Sequence, residues 1–225
     1  PVENVAPFVN SRGTEYYQLF QHYPALEPFY FSFEKNFNVE PYSTFAKNHP
    51  ILPVMICVGY LIFCFGVQYI LKNRERFDLR YPLAYWNLFL SIFSFLGMLR
   101  TVPHLIHNLT HMPFEDTICL PAQETFGSGA NGFWVMLFIF SKIPELFDTF
   151  FIVMRKRPLI FLHWYHHVTV LLFCWHSYAT ESSTGLYFVA MNYTVHAIMY
   201  GYYFLMAMKI KPPIPAWTIT VAQTT

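Results

Sequence analysis

The chain has 225 residues, a formal net charge of +1 at pH 7, 55% hydrophobic residues and only 12% charged residues. Soluble domains carry about twice that share of charged residues, so the composition argues against a soluble protein and favours one that lies in a lipid bilayer. Four Cys without a Cys-x-x-Cys spacing argue against both a zinc module and a disulfide scaffold.

The first segment, residues 1–50, is polar and rich in aromatic side chains. We expect it to be a non-cytosolic segment that lies at the membrane interface rather than crossing the bilayer. The sequence begins at Pro1 rather than Met and stops at Thr225 inside an apolar run, which predicts a fragment of a longer protein.

Residues 51–225 predict a polytopic helical domain, because a helix crosses a bilayer with about 20 mostly apolar residues. The predicted fold class is therefore an all-α integral membrane protein. Five complete spans and the beginning of a sixth are expected at about residues 51–71, 82–100, 132–154, 159–178, 186–208 and from 215 to the end.

The distribution of basic residues predicts the orientation of these spans. Nine Lys and Arg residues follow the first, third and fifth spans, whereas the two opposite loops contain only Arg100. Because basic residues are retained on the cytosolic side, the N-terminus is predicted to be non-cytosolic. The Asn108-Leu109-Thr110 sequon falls on that same side, where it is either glycosylated or too close to the membrane to be used.

Ionisable and polar side chains inside three of the spans are the candidate functional groups, since burying them in a bilayer is costly. In each span their spacing is helical. They are Lys142, Glu145, Asp148 and Thr149 in the third span, His163, His166 and His167 in the fourth, and Asn192, His196, Tyr200 and Tyr203 in the fifth. Counted from the basic loops, the ionisable groups lie roughly 10–20 Å below the cytosolic boundary, which predicts a single site. For Lys142 and Glu145 taken alone, a structural ion pair within the helix is the better interpretation.

A second interpretation is suggested by the His-x-x-His-His spacing, which is similar to the histidine boxes of membrane di-iron desaturases and hydroxylases. That chemistry needs several boxes on one side of the membrane. The other histidine group, His104, His107 and His111, is predicted to lie on the opposite side, about 30 Å away. A third interpretation, a transporter or receptor, would need a polar path that reaches both faces.

Four blocks of sequence, KIPELFDT, HWYHH, MNYTVHAIMYGYY and TVAQTT, resemble in this order the very long-chain fatty acid elongases, which are membrane 3-ketoacyl-CoA synthases. The resemblance extends from about Phe29 to Thr225. It implies a seven-helix bundle in the endoplasmic reticulum membrane that condenses a long-chain acyl-CoA with malonyl-CoA to give 3-ketoacyl-CoA, CO2 and CoA. The Trp164-Tyr165 pair and the Phe33–Phe37 segment look more like the members that elongate saturated and monounsaturated chains.

Within this interpretation imidazole is the candidate nucleophile, because no Cys joins the cluster. We expect His166 to accept the acyl group, His196 to face it, and His163 and His167 to orient substrate or move protons. Glu145 and Asp148 are expected to fix imidazole tautomers. The candidate substrate-binding residues are Lys142 and Gln223 for the malonyl group, Thr149, Asn192, Tyr200 and Tyr203 for the cavity, and Arg155, Lys156 and Arg157 for the CoA phosphates. A variant without a covalent intermediate, in which a His acts only as a base, stays open.

The resemblance also implies the partners and the location. Besides acyl-CoA, malonyl-CoA and membrane lipids, the partners expected are the ketoacyl reductase, dehydratase and enoyl reductase of the elongation cycle. A homodimer stays open, and neither a nucleic acid, a metal nor a cofactor is expected. The protein is predicted to be multi-pass in the endoplasmic reticulum, with a lumenal N-terminus and an active site that opens to the cytosol.

Overall fold

The computed structural model describes residues 8–9, 15–215, 217–219 and 221. Gln223, and with it the contact predicted for the malonyl group, lies outside these residues, as does most of the predicted sixth span. Within them the chain is largely α-helical, and the β pairing that is described joins two short strands, β1 (Phe8–Val9) and β2 (Glu15–Tyr16).

The helices of the described part follow one another with short connections. In chain order they are α1 (Leu19–His22), α2 (Ser32–Lys35), α3 (Glu40–Asn48), α4 (Leu52–Ile70), α5 (Arg80–His111), α6 (Phe114–Cys119), α7 (Gly129–Glu145), α8 (Phe147–Met154), α9 (Phe161–Ala179) and α10 (Gly185–Ala207). Two 3-10 segments, Pro24–Phe29 and Ala122–Glu124, lie between them.

The long apolar helices coincide with the stretches expected from hydropathy. α4, α9 and α10 begin and end within two residues of the predicted spans, whereas α5 continues from Arg100 to His111. α4 and α5 are long and apolar enough to cross a membrane, with mean hydropathies of 1.9 and 1.5. These two helices are consistent with a transmembrane protein.

The third predicted span is broken into α7 and α8, where a single helix was expected. Pro144 lies one residue before the end of α7, and Leu146 separates the two helices. Proline lacks the N–H of the helical ladder and its ring clashes with the carbonyl four residues back, which accounts for the break. The Leu146 N–H instead bonds to the Ile143 carbonyl at 3.2 Å, as in a 3-10 turn. The break separates Lys142 and Glu145 from Asp148 and Thr149.

α8, α9 and α10 end in the same way, with a charged residue in the left-handed conformation. These residues are Lys156 (φ 51°), Glu181 (φ 55°) and Lys209 (φ 62°). In each case the next amide bonds to the carbonyl five residues back at 2.9 Å, which is the Schellman arrangement. Glycine is usual at this position, because the left-handed conformation costs other residues roughly 1–2 kcal/mol.

Contacts within the chain define two units, and the first comprises described residues within 1–49, 97–139 and 176–192. Its N-terminal segment is attached to α5 by Arg100. The Arg100 Nε donates to Glu34 Oε2 at 2.9 Å, and its Nη2 donates to the Phe29 carbonyl at 2.6 Å. The guanidinium also lies over the Tyr30 ring, 4.4 Å from its centroid. Glu34 is only 1% exposed, so its charge is compensated by this ion pair.

The glycosylation sequon also lies in the first unit. Asn108 is 3% exposed and belongs to α5 rather than to a loop. A glycosylated Asn lies at the protein surface, so the buried position favours the alternative in which this sequon is unused.

The second unit comprises described residues within 50–96, 140–175 and 193–225. In it α4 packs against α8, with Phe63 and Phe150 stacked at 6.3 Å. A separate buried cluster joins α5 to α10 and to the residues beyond it; its members are Leu90, Met199, Tyr200 and Ile219, with Trp86, Tyr202 and Ile214 packed against them. These contacts hold the helices that carry most of the predicted site.

Candidate active site

The predicted catalytic residues all lie in the second unit. They are His163, His166 and His167 on α9, His196 on α10, Glu145 at the end of α7 and Asp148 on α8. Asn192, which was predicted to line the same cavity, belongs to the first unit. Its Oδ1 is buried without a hydrogen-bond partner among the described residues.

Thr149 links a helix outside the predicted cluster to the histidines. Its Oγ1 lies 2.7 Å from the Tyr60 hydroxyl on α4 and 2.9 Å from Nε2 of His163 on α9. Thr149 is fully buried and Tyr60 is 6% exposed. One hydroxyl therefore connects three helices and fixes the orientation of the His163 ring.

Asp148 is held by two donors that do not belong to the histidine group. The Trp86 Nε1 donates to Oδ1 at 2.5 Å, and the Tyr200 hydroxyl donates to Oδ2 at 2.7 Å. The two donors come from α5 and α10. The two hydrogen bonds therefore connect α5, α8 and α10 around one carboxyl group.

Glu145 forms the intrahelical ion pair that its spacing from Lys142 predicted. The Lys142 Nζ lies 2.9 Å from both carboxylate oxygens, and the Ser141 hydroxyl donates to Oε1 at 2.8 Å. Lys142 is 3% exposed and Glu145 is 5% exposed. Removing one partner of a buried ion pair strongly destabilises the protein, because the other charge is left uncompensated.

The roles expected of the carboxylates, fixing imidazole tautomers and stabilising imidazolium, stay predictions. The hydrogen bonds described for Glu145 come from Lys142 and Ser141, and those described for Asp148 come from Trp86 and Tyr200. Among the histidines of α9, His163 bonds to Thr149.

The histidines of α9 lie against one another at the beginning of that helix. The ring centroids of His163 and His167 are 4.6 Å apart, and those of His166 and His167 are 5.8 Å apart. His167 also lies 6.1 Å from the ring of Tyr60. The His166 side chain is exposed, and its ring makes no hydrogen bond within the described part of the chain. Its nitrogens are therefore open to a ligand.

On α10 the predicted residues have different surroundings. The His196 ring lies edge-on to Tyr200, with 5.3 Å between centroids. Tyr200 is buried and bound to Asp148, whereas Tyr203 is 44% exposed and contacts the Tyr202 ring at 6.0 Å. Tyr200 therefore connects α10 to α8 through Asp148, whereas the Tyr203 side chain remains exposed.

The three basic residues after α8 divide into two kinds. Arg155 and Arg157 line a surface cavity of about 280 Å³, together with Arg76, Phe77 and Asp78. The Lys156 ammonium instead donates to the backbone carbonyls of Lys72 and Arg74. Lys156 is therefore part of the support of this cavity rather than of its lining.

Several hydrogen-bond partners in the site are not ionisable and were not predicted from the sequence. Tyr60, Trp86 and Ser141 carry neutral donors, so a search for charge does not find them. A weak signal existed for Tyr60, because it shares one helical face with Cys57 and Cys64 within an apolar run. For Trp86 we find no signal that would distinguish it from a membrane-facing aromatic residue.

The structure also bears on the metal interpretation. Among the described residues no group of three or more His, Cys, Asp and Glu side chains is arranged to hold a metal ion. The second histidine group belongs to α5 in the first unit, where His107 and His111 stack at 4.2 Å and His22 lies 4.4 Å from His107. The di-iron interpretation gains no support from this part of the chain.

Comparison with known proteins identifies the family. A family model described as ELO, GNS1/SUR4 family, matches residues 45–225. The chain is 49% identical over 157 residues to very long chain fatty acid elongase 6 of Drosophila melanogaster, an alignment that covers 70% of this chain and 49% of the fly protein. It is 42% identical over 183 residues to putative fatty acid elongase 3 of Caenorhabditis elegans, with coverage of 80% and 56%. A third relative, very long chain fatty acid elongase 6 of Gallus gallus, is 39% identical over 181 residues, with coverage of 80% and 68%.

This chain thus spans about half the length of the first two of these relatives. The comparisons confirm the resemblance that the four sequence blocks indicated. On the match over residues 45–225, the chain belongs to the GNS1/SUR4 (ELO) family.

Proposed function

We propose that the protein elongates fatty acids by condensing a long-chain acyl-CoA with malonyl-CoA to give 3-ketoacyl-CoA, CO2 and CoA. The observation that carries the proposal is the histidine group of α9, in which His166 is open and His163 is braced through Thr149. The elongase names of the relatives support the same reaction class. Two CoA thioesters are sufficient for this chemistry, so the proposal includes no further cofactor.

In the proposed mechanism a nitrogen of His166 attacks the thioester carbonyl of the acyl-CoA. The C–S bond breaks, CoA leaves as the thiol after taking up a proton, and an acyl-imidazole remains. Malonyl-CoA then loses CO2, and the resulting carbanion attacks the acyl carbon. The C–N bond breaks, the departing His166 nitrogen takes up a proton from water to regenerate imidazole, and the 3-ketoacyl-CoA is two carbons longer than the original acyl group.

The neighbouring residues have supporting roles in this mechanism. The His167 ring lies 5.8 Å from that of His166 and 4.6 Å from that of His163, and His163 and His167 are proposed to move protons during attack and departure. His196 is proposed to face His166, and Tyr203 to contact the acyl chain with its exposed ring. Glu145 forms an ion pair with Lys142 in a buried position, and the Lys142 side chain is proposed to attract the malonyl carboxylate from there.

The location and the partners are part of the proposal. Lys and Arg residues cluster in the loops after α4, α8 and α10, which supports a cytosolic position for those loops and a lumenal N-terminus. Family membership supports the endoplasmic reticulum membrane as the location and the reductases and dehydratase of the elongation cycle as partners.

The proposal is tested by supplying the full-length protein, in microsomes without NADPH, with [14C]malonyl-CoA and a panel of acyl-CoAs. We expect label in a 3-ketoacyl product that is two carbons longer than the acyl-CoA supplied. Absence of such a product with every acyl-CoA, from folded protein, would refute the proposed reaction.

The covalent step needs a separate experiment. Purified protein is incubated with [14C]acyl-CoA alone, and unbound lipid is removed under denaturing conditions. Label that stays on the protein and leaves after addition of malonyl-CoA supports the acyl-imidazole. If condensation proceeds but label is never retained, the variant in which a His acts only as a base replaces it.

A further inference from the structure

The surface cavity beside α8 has the composition of an anion-binding site. Its volume is about 280 Å³, and its lining residues are Arg76, Phe77, Asp78, Arg155 and Arg157. They come from two connections, the one between α4 and α5 and the one between α8 and α9. All of them belong to the second unit, so the cavity lies within one compact part of the structure.

The two connections that form the cavity are bonded to each other. The Phe77 N–H donates to the Met154 carbonyl at 3.2 Å, and the Lys156 ammonium donates to the Lys72 carbonyl at 3.2 Å and to that of Arg74. Lys156 occupies the left-handed position where glycine is usual. The bonds of its side chain offset the cost of that conformation, and they place Arg155 and Arg157 on either side of a fixed turn.

The charges of the lining favour an anion. Three guanidinium groups face one carboxylate, and Asp78 Oδ1 is already used as an acceptor for the Arg80 N–H at 3.3 Å, at the beginning of α5. None of the three lining arginines forms an ion pair with another described residue. Arginine binds phosphate through pairs of parallel N–H donors, so three of them around one recess match a phosphate better than a carboxylate.

We propose that this cavity binds a phosphomonoester through Arg76, Arg155 and Arg157. Its volume is at the lower limit of ligand pockets, which hold about 300–1,000 Å³, so it accommodates the phosphate and the adjoining part of a ligand rather than a whole nucleotide or lipid. Two ligands present such a group. One is the 3′-phosphate of a CoA thioester, a source that rests on the proposed function; the other is the headgroup of phosphatidic acid.

The test uses the full-length protein in nanodiscs of phosphatidylcholine, titrated with adenosine 3′,5′-bisphosphate in a calorimeter. A triple variant, Arg76→Gln with Arg155→Gln and Arg157→Gln, is compared with a matched control, Lys72→Gln with Arg74→Gln and Lys211→Gln. Each removes three positive charges from loops, but the control residues do not line the cavity. We expect affinity to fall at least about 100-fold in the first variant and by less than about threefold in the control.

The lipid source is examined in the same nanodiscs with phosphatidic acid added in place of the nucleotide. Arginine-dependent retention of phosphatidic acid by the purified protein, without binding of the bisphosphate, assigns the cavity to a lipid headgroup and supports the proposal. Equal losses in both triple variants, or no arginine-dependent binding of either probe, would overturn it. If the triple variant does not fold, Arg76→Gln against Arg74→Gln gives the same comparison with one charge.

Failure of this inference is distinguishable from failure of the proposed function, because neither binding experiment involves turnover. A protein that condenses acyl-CoA with malonyl-CoA but shows no arginine-dependent binding contradicts the phosphate site alone. A protein that binds the bisphosphate through these arginines but forms no 3-ketoacyl product contradicts the proposed function alone.

Discussion

Replacement of Thr149 by Val removes the hydroxyl that connects α4, α8 and α9 while keeping a side chain of similar size. Thr149 is fully buried, and its Oγ1 lies 2.7 Å from the Tyr60 hydroxyl and 2.9 Å from Nε2 of His163. The substitution leaves the Tyr60 hydroxyl buried without its partner, which costs about 1–3 kcal/mol. It also releases the His163 ring from its fixed orientation.

The structure predicts a specific pattern in a double-mutant cycle with Tyr60→Phe. Removing both hydroxyls leaves no unpaired donor between them, so the double variant should be less destabilised than the sum of the single variants, by about 1 kcal/mol or more. Stability is measured by titration with SDS in mixed micelles. Thr149→Ser, which keeps the hydroxyl and loses one methyl group, is the control and should cost about 0.8 kcal/mol.

The rate of condensation distinguishes the hydrogen bond between Thr149 and His163 from the one between Thr149 and Tyr60. Thr149→Val should lower the rate at least about tenfold because His163 loses its partner, whereas Tyr60→Phe leaves the bond between Thr149 and His163 in place and should have a smaller effect. Additive stability losses, or a Thr149→Val variant with the wild-type rate, would refute the reasoning that the hydroxyl positions His163.

Three further predictions follow from the buried contacts and helix ends. Lys142→Met alone should lower the free energy of unfolding by about 3–5 kcal/mol, and Lys142→Met with Glu145→Leu by less; equal losses would contradict a compensated ion pair. Trp86→Phe should cost about 1–3 kcal/mol because it leaves a buried oxygen of the α8 aspartate without its donor, measured by the same titration, and an unchanged stability would contradict that bond. Lys209→Gly should stabilise the protein by roughly 1 kcal/mol in thermal unfolding, because glycine adopts the left-handed conformation without strain. Lys156→Gly should give no such gain, because it also removes the two hydrogen bonds that the Lys156 side chain donates to backbone carbonyls. An equal gain in stability in both variants would contradict this prediction.

The helices could be predicted from sequence because the length of an apolar run is a local property. α4, α9 and α10 required only that about 20 residues avoid charge. The break between α7 and α8 was also visible in principle, since Pro144 lies inside the run. The continuous helix expected there rests on apolar length alone, whereas proline lacks the N–H that the helical ladder requires.

Whether a contact of the site could be predicted depended on how far apart its two residues lie in the sequence. The ion pair between Lys142 and Glu145 joins residues three apart, so helical geometry alone predicted it. Trp86 and Asp148 are 62 residues apart, and Tyr60 and Thr149 are 89 apart. Such pairs depend on which helices pack together, and no periodicity in a single segment contains that information. For this reason the carboxylates were recognised from the sequence as buried groups, but the hydrogen bonds of Asp148 to Trp86 and Tyr200 were not predicted.

The proposed condensation depends on the histidine group of α9. The most direct measurement is the transfer of [14C]malonyl-CoA carbon into 3-ketoacyl product by full-length wild-type protein, by His166→Ala and by the matched control His176→Ala, all at equal amounts of folded protein. Both histidines are exposed residues of the same helix, but His176 lies outside the histidine group. We expect loss of product in His166→Ala and wild-type product in His176→Ala. Full activity in His166→Ala, or equal losses in both variants, would contradict it.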